Sequence, residues 1–284
     1  MILASIVWNV SPYVYRFSDT YAIRWYGILF ALAFVLSYYV AFFICRKEQI
    51  PERHINKLAI ACVFGGVFGA RLGHCLFYEP TYYLSNPVKI LQIWEGGMAS
   101  HGGALGVIIA LLCVSSKEHP FSKNLARALM VIPLAGVFFR WGNLMNSEIY
   151  GEPTSLPWGF IFESSPEVLR GLEQAVPRHP TQIYEMICYF SLFVIYILYC
   201  WKRLRNDKPI SDSFIIGMFG VWVFGGRFMI EFLKMPQVAF EQGLLLNMGQ
   251  ILSLPFIIWG GIALVCSFHK EKLESKNTME NSIL

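Results

Sequence analysis

Residues 22–45 read AIRWYGILFALAFVLSYYVAFFIC, with no charged side chain between Arg24 and Arg46. About 20 predominantly apolar residues are enough to cross a bilayer as one helix. A helix on the surface of a soluble protein would show a polar stripe at helical spacing, and this stretch has none. It reads as a membrane span, and similar runs recur along the 284 residues. Seven are expected, at about 22–45, 58–78, 96–115, 125–144, 182–201, 213–233 and 246–268. Helix punctuation separates them: Pro51, Pro80 and Pro87, Pro120, Pro153 with Pro157, Pro180, Pro209 and Pro236. The third run is interrupted at its start by EGGMASHGG, residues 95–103.

Composition agrees with that class. Charged residues make up 15% of the chain and hydrophobic residues 55%, against roughly 25% charged in ordinary soluble domains. The net charge of +4 is mild and no long basic block exists, so a nucleic-acid partner is not expected. The seven cysteines lie in or beside apolar runs at no metal-ligand spacing. They read as small hydrophobes, with no zinc site and no disulfide framework. The N-terminus has neither a basic leader nor a small-residue cleavage site, so insertion without cleavage is expected.

Lys and Arg fix the expected orientation. Fourteen of the 23 fall in alternate connections, around 46–57, 117–127, 202–208 and 270–276, and six on the other side. The positive-inside rule then places the C-terminus in the cytoplasm, and seven spans place the N-terminus outside. The expectation is an all-α polytopic membrane protein forming one membrane domain over 1–284. Residues 145–181 would be a small extracytoplasmic head, and 272–284 a disordered cytoplasmic tail. Gly65, Gly69 and Gly73, with Gly102 and Gly106, read as rows for close helix packing.

The remaining charges matter most. Ionisable side chains inside spans are costly and are functional candidates by default. They and their polar neighbours are Tyr26, Arg71, His74, His101, Arg140, Asn143, His179, Gln182, Glu185, Arg227 and Glu231. With the expected orientation, every one falls in the outer half of the membrane. That predicts one polar cavity rich in arginine, whose planar fork suits phosphate, and a lipid phosphate is the anion available at that depth. Other roles stay open: Arg71 can snorkel, His74 can be a packed ring, and Arg227 with Glu231 is an i, i+4 pair. Arg140 has no acidic residue within one helical turn. A transporter or anion channel would need polar groups in the inner halves too, where almost none occur. A lipid-binding protein without turnover would not need His101.

Five ordered segments carry a family resemblance: IRWYG at 23–27, GGMASHGG at 96–103, RWGNLMNSEIYG at 140–151, RHPTQIYE at 178–185 and GGRFMIEF at 225–232. Together they resemble the prolipoprotein diacylglyceryl transferases of the bacterial inner membrane. Two positions depart from the family's habit: Phe139 stands where Gly is frequent, and Val223 where many members carry Tyr. The resemblance implies transfer of a diacylglyceryl group from phosphatidylglycerol to the lipobox cysteine of a prolipoprotein signal peptide. It implies no cofactor and no metal, because the lipid of the bilayer itself carries the group. On that reading His101 is the general base, or the cations activate the thiol directly. Arg140 and Arg227 clamp the leaving phosphate. Tyr26, Arg71, Asn143, Asn146 and Glu148 hold the lipid, Gly151 permits the turn into the head, and Glu231 orients Arg227.

Overall fold

In a computed structural model of the chain, the described residues are 5–18, 21–93, 96–234 and 246–281, with side chains described as far as 273. The chain is mostly helical. Among the described residues, six helices are long and apolar enough to cross a membrane: α1 (Trp25–Lys47), α2 (Glu52–Phe77), α5 (Phe121–Met145), α7 (Thr181–Arg205), α8 (Asp212–Glu231) and α9 (Met248–Asn281). The expected third span is a shorter helix, α4 (Ser100–Val114), about 22 Å long at 1.5 Å per residue. Its first expected turn is not helical because Gly96 and Gly97 take φ of 88° and 71°, the left-handed region that glycine tolerates. Two short helices, α3 (Pro80–Ser85) and α6 (Pro166–Leu169), and a 3-10 turn at Pro87–Leu91 lie in the connections.

The helix ends follow their sequences. Arg46 and Lys47 close α1, and Lys202, Arg203 and Arg205 close α7, where cations meet the negative end of the helix dipole. After α7, Asp207 turns left-handed at φ 50° and Lys208 N–H donates to the Arg203 carbonyl at 2.9 Å; Pro209 then prevents the helix from resuming. Ser211 caps α8 by accepting from the Phe214 N–H. α9 continues to Asn281 through residues expected to be a disordered tail. KLESKNTMEN contains no Gly or Pro and several good helix formers, so nothing in it stops the helix. Residues 282–284 lie outside the described residues.

The chain divides into two compact units: residues 38–128, and residues 1–37 with 129–284. The first unit is self-contained because α2 and α4 meet backbone to backbone. A Cβ on Gly73 would lie 2.7 Å from the Gly102 Cα, and one on Gly106 would lie 2.8 Å from the Gly69 Cα. The glycine rows thus act as the close-packing surfaces expected of them. At the other end of this unit, the buried Arg127 pairs with Glu48 at 2.5 Å.

In the second unit, α8 and α9 approach through Gly217, Gly220 and Gly260. Tyr196 on α7 donates to the Ile215 carbonyl at 2.7 Å, which satisfies a buried hydroxyl. Among the described residues four short strands also belong here, and hydropathy gave no sign of them. β1 (Ile6–Trp8) runs parallel to β4 (Phe160–Phe162), while β2 (Tyr13–Arg16) pairs antiparallel with β3 (Ala22–Arg24). The segment 145–181 folds around Leu144, Phe160 and Phe162, with Trp8 and Tyr150 packed on them. The Trp8 indole N–H donates to the Leu144 carbonyl at 3.0 Å, so the N-terminal strand is tied to this segment.

Candidate active site

Arg140 lies in the last turns of α5, between two glycines of the same helix: Gly136 one turn before it on the same face, and Gly142 two residues after it on another. A Cβ on Gly136 would lie 2.8 Å from the Tyr189 ring, and one on Gly142 would lie 2.6 Å from the Tyr26 ring. Both tyrosines therefore close in on the guanidinium. Tyr189 is hydrogen-bonded to Arg140 and lies within electrostatic reach of Arg227. Tyr26 lies within reach of Arg140 and Glu148. Phe139, the departure from the family's habit, stacks on Phe30 with ring centres 5.0 Å apart and so packs α5 against α1.

Arg140 is anchored on one side. Its Nε sits 2.6 Å from Glu185 Oε2 on α7, and its Nη1 donates to Asn143 Oδ1 at 3.1 Å. Asn143 in turn donates to Glu148 Oε1 at 2.9 Å, and Asn146 donates to the same oxygen at 3.2 Å. The signature loop after α5 is thus tied around one carboxylate. Its backbone is unusual: Ser147 and Ile149 take φ of 52° and 60°. A β-branched residue in that region is strained. The start of α7 holds the strain in place, since Thr181 Oγ1 donates to the Ile149 carbonyl at 2.9 Å and Gln182 Nε2 to the Glu148 carbonyl at 2.7 Å.

Gly151 admits a close crossing. A Cβ there would meet the Leu233 carbonyl and would sit 2.9 Å from the His179 Cβ. Glu152 N–H donates to the same Leu233 carbonyl at 2.8 Å, joining the loop to the end of α8. His179 bonds the Tyr184 hydroxyl through Nδ1 at 3.2 Å, in a small cluster of its own.

Arg227 is exposed on α8, with no ion pair among the described residues. Glu231 was expected to orient it. Glu231 is buried and faces Lys234 at 3.7 Å. Gly249, whose Cβ would come within 2.7 Å of the Glu231 carboxyl carbon, leaves the space into which that carboxylate turns. Lys234 also bonds Glu185 at 2.9 Å. Sequence reasoning counted Lys234 only as an outer-side charge, and its spacing of three from Glu231 was the signal that it belongs with the buried groups.

Arg71 and His101 belong to the other unit. Arg71 is 2% exposed and donates to backbone carbonyls: Nε to Ile90 at 3.0 Å, Nη2 to Lys89 at 2.6 Å, and Nη1 to Gly96 and, at 3.4 Å, to Gly97. Its guanidinium also lies over the Tyr83 ring at 4.9 Å. With four bonds from its five N–H donors to carbonyls, it holds the connection after α3. His101 is exposed in the first turn of α4, against the rings of Phe77 and Tyr78 at 5.5 and 5.9 Å. His74 stacks on Tyr78 at 5.5 Å, as a packed ring would.

Apolar helices of spanning length mark a multi-pass membrane protein, and the last turns of α5 carry an arginine anchored by a buried carboxylate. The family described as prolipoprotein diacylglyceryl transferase matches residues 12–266. The chain belongs to that family and is an enzyme, a membrane transferase of lipoprotein modification. It is 42% identical over 270 residues to the phosphatidylglycerol–prolipoprotein diacylglyceryl transferase of Tolumonas auensis, covering 94% of this chain and 99% of that one. The enzymes of the same name from Chloroherpeton thalassium and Porphyromonas gingivalis are each 39% identical. They cover 95% and 96% of this chain, and 97% and 98% of their own lengths.

Proposed function

We propose that this enzyme transfers the diacylglyceryl group of phosphatidylglycerol to the lipobox cysteine of a prolipoprotein signal peptide. The names of the relatives support the substrates. The observation that carries the reading is Arg140, fixed by Glu185 and Asn143 and joined through Tyr189 to the reach of Arg227. A fixed arginine with a second one in electrostatic reach of the same tyrosine suits an anion that gains charge as it leaves.

The chemistry is a displacement at the glyceryl carbon bonded to the phosphate. The thiolate forms a C–S bond, the C–O bond breaks, and its electrons leave with glycerol phosphate. The thiol proton goes to His101 as general base, and from there to solvent or the leaving phosphate. A thiol with pKa near 8.5 needs such help at neutral pH. Arg140 and Arg227 bind the phosphate oxygens, by analogy with an oxyanion donor whose loss costs about 2.7–4 kcal/mol. Tyr26, Asn143, Asn146 and Glu148 bind the headgroup glycerol. Gly151 lets the loop cross the end of α8, Glu231 acts through Lys234, and Arg71 shapes the connection it holds.

The proposed setting is the bacterial inner membrane, with seven spans, the N-terminus outside and the C-terminus in the cytoplasm. Residues 96–99 extend α4 toward a full crossing, and the alternation of basic connections supports that count. The site then opens toward the outer leaflet, beneath the head at 145–181.

The test is reconstitution with phosphatidylglycerol and a lipobox peptide, followed by mass. The expected result is a gain of one diacylglyceryl unit, abolished by Arg140→Ala or Arg227→Ala. His101→Ala should lose rate at neutral pH and recover part of it as the thiol ionises unaided. No gain from folded protein that still binds phosphatidylglycerol would sink the assignment.

A further inference from the structure

Lys234 lies three residues beyond the last residue of α8, with its side chain 7% exposed. Its ammonium is 2.9 Å from Glu185 Oε1 and 3.7 Å from Glu231 Oε2. The other oxygen of Glu185 takes Arg140 at 2.6 Å. The four groups form one line of alternating charge: Arg140, Glu185, Lys234, Glu231. Both carboxylate side chains are about 95% buried, where an uncompensated ion costs several kcal/mol. The arrangement is built, not incidental. Gly249 leaves room for the Glu231 carboxylate, and the Asn247 side chain donates to the Glu231 carbonyl at 3.5 Å.

The line is neutral as a whole, and that balance decides what Arg140 can offer. With Lys234 present, Glu185 divides its charge between two cations, and Glu231 has a cation of its own. Arg140 therefore keeps positive potential at its open edge. Without Lys234, Glu231 loses its cation, Glu185 keeps only Arg140, and the group carries a net negative charge. Arg140 is then drawn onto the carboxylates, and an approaching phosphate is repelled.

We propose that Lys234 is a positioning residue for the transfer reaction, which neutralises Glu185 and Glu231 so that Arg140 stays available to the departing phosphate. The inference rests on the proposed function. It adds a residue that touches neither lipid nor peptide and acts through Glu185.

The experiment compares wild type with Lys234→Met, Lys234→Arg and the double variant Lys234→Met with Glu231→Gln, in the reconstituted transfer assay, with thermal unfolding in detergent alongside. Lys234→Met should lower kcat about tenfold while KM for phosphatidylglycerol moves less than threefold. Lys234→Arg should return kcat to within about threefold of wild type. The double variant, which restores neutrality by removing one carboxylate charge, should exceed Lys234→Met. Because its group is neutral, it also serves as the readout where Lys234→Met does not fold. Unchanged kcat in Lys234→Met, a defect in KM alone, or a double variant no better than the single one would overturn the proposal. So would loss of folding in both, since it would leave a purely structural lysine. Inactive wild-type protein would count against the proposed function and remove this inference with it.

Discussion

Arg140 Nε lies 2.6 Å from Glu185 Oε2, and this pair bridges α5 and α7. Glu185 is the more enclosed partner, its side chain 4% exposed against 20% for Arg140. The carboxylate is thus sealed in protein while one edge of the guanidinium stays open. A cation held from behind and open in front is preorganised for an anion, because little reorganisation remains when charge develops.

Glu185→Gln should therefore damage both fold and reaction. It removes the shared counter-ion of Arg140 and Lys234 from a site where breaking a buried pair costs about 3–5 kcal/mol. The expected result is a clear fall in melting temperature in detergent, with transfer reduced at least about tenfold. Wild-type stability and rate in this variant would show that the pair does not organise the site.

Arg71→Lys keeps the charge but loses the fork. A lysine cannot reach carbonyls at residues 89, 90, 96 and 97 at once. Hydrogen exchange should rise across the described part of the 87–97 segment and remain unchanged in α7. Equal protection in both proteins would mean that the connection holds its shape without the arginine.

Gly69→Ala and Gly261→Ala should have opposite effects. A Cβ at Gly69 meets the Gly102 carbonyl and lies 2.8 Å from the Gly106 Cα, and backbone atoms in a helix cannot step aside. Overpacking of this kind costs about 1–3 kcal/mol. At Gly261 nothing lies within 4 Å, so alanine should be neutral or stabilise α9 by about 0.5–1 kcal/mol. Thermal unfolding of the two variants decides the matter.

Tyr150 in the head should give alkaline sensitivity. Burial first, with the charges of Glu167 and Glu173, pushes its hydroxyl up to about 12, although Ser165 opposes the shift. The hydroxyl bonds Glu173 at 3.1 Å and Ser165 at 3.2 Å. A folded pKa above the unfolded value near 10 means that the contribution is complete below pH 10. It is lost as pH rises through about 12. Wild type should lose melting temperature over that window more steeply than Tyr150→Phe. Parallel curves would rule the hydroxyl out.

What the sequence disclosed depended on range. Hydropathy located α1, α5, α7, α8 and the start of α9 within a few residues, because each run is local. It began α2 too late, since Glu52, Arg53, His54 and Lys57 form a polar first stretch of helix that reads as a connection. The strands of three or four residues were too short to leave a period. Arg140 was singled out for its missing partner, and that partner, Glu185, comes from another helix where no spacing rule reaches it. Tyr189 was missed for the same reason. For Arg71 the residue type suggested a phosphate, but a guanidinium also binds carbonyl oxygens, and only the fold shows that those of residues 89, 90, 96 and 97 are near. The i, i+4 spacing of Arg227 and Glu231 brought no bond, because Glu231 turns toward Lys234 and the space at Gly249.

The hold of Arg71 has a consequence for how this region can change. It grips main-chain oxygens and no side chain of the connection, so it fixes a shape without reading the letters that make it. Val88 and Leu91, which point outward along that connection, can be exchanged while its path is kept. Shape and surface are inherited separately here, and a protein surface facing varied neighbours can drift in sequence without moving the walls behind it.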